Sequence, residues 1–280
     1  MSIKTMLVHL DDGIDARSHV DTAAAIAHDI GARLIGAYLV PTPEITPTVA
    51  ALLPKDLVSR RLREMGEAQN AAKLAFHDAA LRARVERIDW RAPAGDPRRA
   101  LIAHGRYTDL VVLAQHDPDD PLADFGAELV TEALFGLGRP LLIVPFIGSP
   151  ATPGERVLVA SDGGREAARA MADAMPLIEQ ASEVRVLIGS GNASGDASSF
   201  TSQSSHLRSW LSDHGVEPVI ERADSDSNDK GEWLLSRAAD YGSDLVVMGA
   251  YGHARVREMV LGGMTRTILR AMTVPVLMSH

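Results

Sequence analysis

At 280 residues and 46% hydrophobic, the chain can bury two cores of ordinary domain size or one large one. A net charge of −9 argues against a nucleic-acid partner, which needs a basic face, and no apolar run approaches the length of a membrane span. No signal-like leader precedes the first strand and there is no cysteine, so we expect a cytoplasmic protein without disulfides, thiolate nucleophiles or thiolate metal ligands.

Taken in order, the chain alternates strand and helix patterns. Residues 6–10 read as a strand. A helix is expected over about 15–30, with Val20, Ala23, Ala24, Ala27 and Ile30 on one side and Gly31 as its stop. The second strand is 33–40. Prolines 41, 43, 47 and 54 then break the pattern, and a long helix is expected over about 55–81. Its apolar positions, Leu57, Leu62, Met65, Ala68, Ala72, Phe76 and Ala79, predict packing against its own sheet. Residues 85–90 form the third strand, on which Trp90 is expected in the core. Asp96 and Pro97 open a helix, and strands four and five start at Asp109 and Leu141, with a helix near 128–135 between them.

The second half repeats the order. Residues 165–180 are expected to be helical, with Pro176 cutting or kinking the helix. Strands are expected at 184–188 and 218–221. The run of Gly, Ser, Asn and Asp over 189–205 reads as a loop, followed by helices at 207–214 and 232–241, the latter with Trp233 in the core. The halves are an internal repeat. Asp11 recurs as Asp162, an offset of 162 − 11 = 151, whereas Asp109 recurs as Asp244 and Pro140 as Pro275, an offset of 135. The first half therefore carries 151 − 135 = 16 extra residues, in its Pro-rich and long-helix region. Strands separated by helices predict parallel sheets covered on both faces, with a ligand crevice beyond the strand C-termini.

Residues 244–265 carry the clearest chemistry. A β-branched run ends at Met248, then come Gly249, Gly252, Gly262, Gly263, Met264 and Thr265, where a new helix begins. Glycines between a strand and a helix N-terminus let backbone N–H groups face an anion, and His253, Arg255, Arg257 and Arg266 add positive charge. The bland alternative is that these glycines only make turns. Asp162, at the end of the half's first strand, could accept hydrogen bonds from ribose hydroxyls or an adenine amino group, or could cap the next helix.

The spacing G-x-x-G, nine residues, then G and a small residue resembles the nucleotide-binding signature of universal stress proteins (UspA-like). Gly249, Gly252 and Gly262 match it; Gly263 stands where the family usually has Ser or Thr; Thr265 matches the small hydroxyl residue two positions on. The resemblance covers essentially the whole chain as two tandem copies. It implies two Rossmann-like, adenine nucleotide alpha hydrolase-like α/β sandwiches, each of five parallel strands in the order 3-2-1-4-5, over 1–147 and 153–280. It also implies ATP or another adenine nucleotide, with or without magnesium, as ligand. Asp162 would sit at the nucleoside, backbone near Ala160 and Gly189 at the adenine, and Met248, Gly249, Gly252, Gly262, Gly263, Met264 and Thr265 along the rest. The fifth strands would pair within the chain as a pseudo-dimer, with a further homodimer open.

The first half departs from the motif. At the offset of 135 it has Ala114, Asp117, Ala127, Glu128 and Val130 for Gly249, Gly252, Gly262, Gly263 and Thr265. Its loop contains His116, Pro118, Asp119, Asp120, Pro121 and Asp124, which offers carboxylates rather than N–H groups to a phosphate, so the first half is expected not to bind nucleotide. Those carboxylates match no calcium-loop spacing and read as a solvated acidic loop. No P-loop, serine elbow or H-x-x-x-H pair is present, so no catalytic residue is named. His206 and His214 read as surface residues. Two other classes compete: a scaffold with a decayed site, and an ATP pyrophosphatase of the related folds.

Overall fold

A computed structural model describes residues 2–12, 17–41, 54–115, 123–147, 152–189, 197–223, 229–250 and 263–280. The first half contains β1 (Thr5–Leu10), α1 (Arg17–Asp29), β2 (Arg33–Tyr38), α2 (Lys55–Arg82), β3 (Ile88–Arg91), α3 (Pro97–Gly105), β4 (Leu110–Ala114), α4 (Ala123–Gly136) and β5 (Leu141–Val144). The second contains β6 (Arg156–Ser161), α5 (Arg165–Ile178), β7 (Glu183–Gly189), α6 (Ala197–Asp213), β8 (Val219–Ala223), α7 (Lys230–Asp240), β9 (Leu245–Gly249), α8 (Gly263–Ala271) and β10 (Val276–Ser279).

The strands form one sheet in the order β3-β2-β1-β4-β5-β10-β9-β6-β7-β8, so each half has the expected order 3-2-1-4-5. Every pairing within a half is parallel. The halves join through β5 and β10, antiparallel, with Ile143, Leu142 and Leu141 opposite Val276, Leu277 and Met278. All six of these side chains are buried, so the seam is also core.

The continuous apolar runs of β1, β4, β6 and β9 are explained by cover on both faces. Met6, Val8 and Leu10 point to a layer with Val20 and Ala23 of α1, Phe76 of α2, Ala170 and Met171 of α5 and Leu211 of α6. Leu7 points to the other layer, with Leu101 of α3, Leu129 of α4, Leu234 of α7 and Ile268 of α8. Trp90 and Trp233 are half-buried against these two layers respectively. The repeated aspartate before strand four proves to be a tether. Asp109 accepts from the backbone N–H groups of Lys4 and Thr5, and Asp244 accepts from those of Gly154, Glu155 and Arg156.

Three expectations change. Residues 197–205 are helical, so α6 starts ten residues before Leu207; Phe200 and Trp210 pack on the core and hold a Ser-rich sequence in a helix. On α2 only Phe76, Ala79 and Ala80 are buried, while Leu57 and Leu62 are exposed, because the helix begins before it reaches the sheet. Pro176 does not end α5: it lies in the last turn, and the helix runs two residues past it.

Candidate functional site

Ala160, Asp162, Gly189, Met248 and Gly249 lie at or just beyond the C-terminal ends of β6, β7 and β9. Register places Ala160 between Leu187 and Met248, and Ser161 beside Ile188. Ala160 and Gly189 are half-buried, and Met248 is buried in β9. Their small side chains leave the ends of β6 and β7 uncrowded: the nearest atom to a Cβ built on Gly189 would be the Ser161 carbonyl oxygen, 3.7 Å away.

Beyond β6 the chain turns through Gly163, whose φ of +74° suits glycine. Asp162 Oδ1 accepts from the Gly164 N–H at 2.8 Å, and the Gly163 N–H donates to Ser161 Oγ at 3.2 Å. Asp162 therefore caps the turn into α5 with one oxygen. Its other oxygen has no hydrogen-bond donor among the described residues, so capping and ligand binding are compatible roles. Gln203 of α6, half-buried, lies over this turn, its Nε2 2.6 Å from where a Gly163 Cβ would be.

Gly249, half-buried at the end of β9, has a packing role of its own. A Cβ there would lie 2.6 Å from the Ala167 nitrogen and 2.6 Å from the Glu166 carbonyl carbon, so only glycine lets α5's first turn approach β9 this closely. Glu166 is buried at that contact. Burial alone would raise its pKa, but the 2.5 Å hydrogen bond from Arg165 prevails and holds the carboxyl below its usual range. Gly252 and Gly262 lie outside the described residues, as do His253, Arg255, Arg257 and the first half's residues 116–122.

α8 begins at Gly263, which is exposed, and a methyl group added there would meet nothing within 4 Å; Met264 is half-buried and Thr265 buried. Arg266 is exposed one turn in, and Arg270 lies in the last turn. The free N–H groups of an α-helix's first turn and its dipole favour an anion at this end. Two residues that sequence reasoning missed hold α8 in place. Asp229 caps α7 by accepting from Gly231 N and Glu232 N, and its Oδ2 accepts from Thr267 Oγ1 of α8 at 2.8 Å. The Thr267 bond, followed by the backbone bonds, keeps the Asp229 carboxyl below its usual pKa. The Asp229-x-x-Glu232 capping pattern was the available signal. From the first half, Gln115 Nε2 donates to the Leu269 carbonyl near the end of α8 at 2.9 Å.

Among the described residues no three His, Asp or Glu groups are gathered to hold a metal, and no helix is long and apolar enough to cross a membrane. Ser161 is buried and accepts from the Gly163 N–H.

Residues 154–280 match the Universal stress protein family. A universal stress protein from Archaeoglobus fulgidus has the same overall fold, with a TM-score of 0.71 at 16% identity, over 99% of this chain and 96% of that one. A functionally unknown protein from Pseudomonas aeruginosa covers 99% of this chain and 92% of its own at a TM-score of 0.60 and 17% identity. A universal stress protein from Synechocystis is 47% identical over 46 residues, which is 16% of either chain.

Proposed function

Since residues 154–280 match the Universal stress protein family, we propose that the chain is a stress-response protein whose C-terminal half binds one adenine nucleotide, ATP foremost, as a regulatory ligand. What supports this reading is that Asp162 follows β6, with one carboxylate oxygen accepting no hydrogen bond among the described residues, and that α8, the next helix after the neighbouring β9, starts at the exposed Gly263. Carboxylate and helix N-terminus suit the two ends of a nucleotide: hydrogen-bond donors on the nucleoside and negative charge on the phosphates.

In this reading Asp162 accepts from the nucleoside, and the small residues Ala160 and Gly189 leave room for the base above Met248. Backbone N–H groups at Gly249, Gly252, Gly262, Gly263 and Met264, with the Thr265 hydroxyl, receive the phosphates. ATP supplies charge and shape as a ligand, and no residue is assigned to its hydrolysis or to magnesium. The two halves, 1–147 and 153–280, act as an intramolecular pseudo-dimer in the cytoplasm. The first half is a structural partner whose carboxylate-rich loop rejects phosphate.

A non-nucleotide scaffold is the second reading, favoured by Gly249, whose identity is already accounted for by its contact with α5. Titration calorimetry with ATP separates the two. One site per chain, lost in Gly252→Asp, which copies the first half's residue, is the expected result. No heat from the wild type at millimolar ATP would leave the scaffold reading, and two sites would refute the assignment of the first half.

A further inference from the structure

The offset between the halves makes a residue-by-residue comparison of their two strand edges possible. Leu10 pairs with Tyr38 as Ser161 pairs with Ile188, so His9 stands where Ala160 does and Leu39 where Gly189 does. At the second half's edge these two positions are half-buried and small. At the first half's edge they are closed: His9 is 6% exposed and Leu39 is 2% exposed.

The His9 ring is held there by hydrogen bonds. Its Nε2 lies 2.9 Å from the Leu39 carbonyl oxygen, and because a carbonyl only accepts, Nε2 carries the proton and donates. The His9 backbone carbonyl in turn accepts from Nε2 of the buried His19 at 2.7 Å. Thus a planar nitrogen heterocycle donates an N–H to the backbone at the end of the half's second strand. That position is equivalent to the Gly189 backbone, where the second half is proposed to receive an adenine. Position 170, the counterpart of His19 at the offset of 151, is an alanine, so the second half has neither ring.

We infer that His9 is an internal substitute for a nucleobase: the first half keeps a base pocket, and the chain fills it with its own imidazole. This rests on the proposed placement of the base near Ala160 and Gly189 in the second half. It assigns the first half a latent site for an uncharged purine nucleoside, separate from its phosphate-rejecting loop. Asp11, the counterpart of Asp162, remains on that edge. Removing the ring opens space beside the Leu39 carbonyl and leaves that carbonyl without its donor, which a ligand N–H would replace.

The test counts adenosine bound per chain by equilibrium dialysis, on the full-length protein. Adenosine has no phosphate for the acidic loop to repel. His9→Ala is expected to bind one equivalent more than the wild type. His9→Gln, whose amide can still donate to Leu39, is expected to bind the same number as the wild type. No gain in His9→Ala, or an equal gain in His9→Gln, would overturn the inference. His9→Thr, a smaller loss of volume with the same expected gain, serves if His9→Ala does not fold. The comparison is a difference between variants. A wild type that binds no adenosine therefore counts against the second half's site, while a change from none to one still supports this one.

Discussion

At the scale of single residues, the close contacts decide which positions tolerate change. Gly249→Ala would place its methyl 2.6 Å from backbone atoms of Glu166 and Ala167, which cannot swing away as a side chain could. The start of α5 must shift, at a cost of about 1–3 kcal/mol typical of overpacking. A urea midpoint equal to that of the wild type would contradict this packing role. His19 makes a pH prediction. Burial lowers its pKa from the ordinary 6.5, against the opposing hydrogen bond to His9, so the folded protein disfavours the charged ring. The unfolded chain then takes up more protons between His19's folded value and 6.5. This contribution to stability is complete above pH 6.5 and is lost as pH falls below it. The thermal midpoint should drop between pH 7.5 and 5.5, and less so in His19→Gln; equal drops would exclude His19 as the cause.

At the scale of elements, α8 is held at its middle and in its last turn by side chains from other segments. Thr267 is bonded to Asp229 of the α7 cap, and the Leu269 carbonyl to Gln115 of the first half. Carbonyls in a helix's last turn have no partner within the helix, so Gln115 satisfies a group that would otherwise depend on water. Gln115 itself is 4% exposed and accepts from Phe146 N through its Oε1 at 3.4 Å. Gln115→Leu should therefore cost about 1–3 kcal/mol of stability. It should also weaken ATP binding more than adenosine binding, because α8 faces the phosphates in the proposed site. Equal losses for both ligands would make Gln115 merely structural. The chain's pattern was readable for most elements: β5 and the start of α2 lie where the apolar runs and Pro54 put them. It was not readable for the first ten residues of α6, because Ser and Thr weaken local helix preference and Phe200, Leu207, Trp210 and Leu211, packed on the core, make the helix favourable. Likewise Asp162 reads in the sequence as either cap or ligand group; the structure shows the cap through Oδ1, and the other oxygen accepts from no donor among the described residues.

For the whole molecule, the antiparallel contact of β5 with β10 turns two five-stranded sheets into one and covers two edges at once. An edge strand presents unpaired backbone groups, and Val276, Leu277 and Met278 are wholly buried at this seam. A fragment of residues 153–280 should accordingly form a dimer through two copies of β10, measured as a doubled mass by light scattering. A monomeric fragment would mean that the seam contributes little. The repeat and the contrast between the glycine-bearing and aspartate-bearing loops were determined by the sequence, because strand periodicity and glycine placement act locally; the 3-2-1-4-5 order came from the family resemblance, since no local pattern fixes which strands are neighbours. Only the tertiary structure decided why the repeated Asp109 and Asp244 recur, why Gly249 must be glycine and what fills the first half's edge. Those answers depend on distances between segments tens to hundreds of residues apart: Asp109 to Lys4, Gly249 to Glu166, Gln115 to Leu269. Local propensity carries no information about such approaches; the packing of helices on a shared sheet sets them.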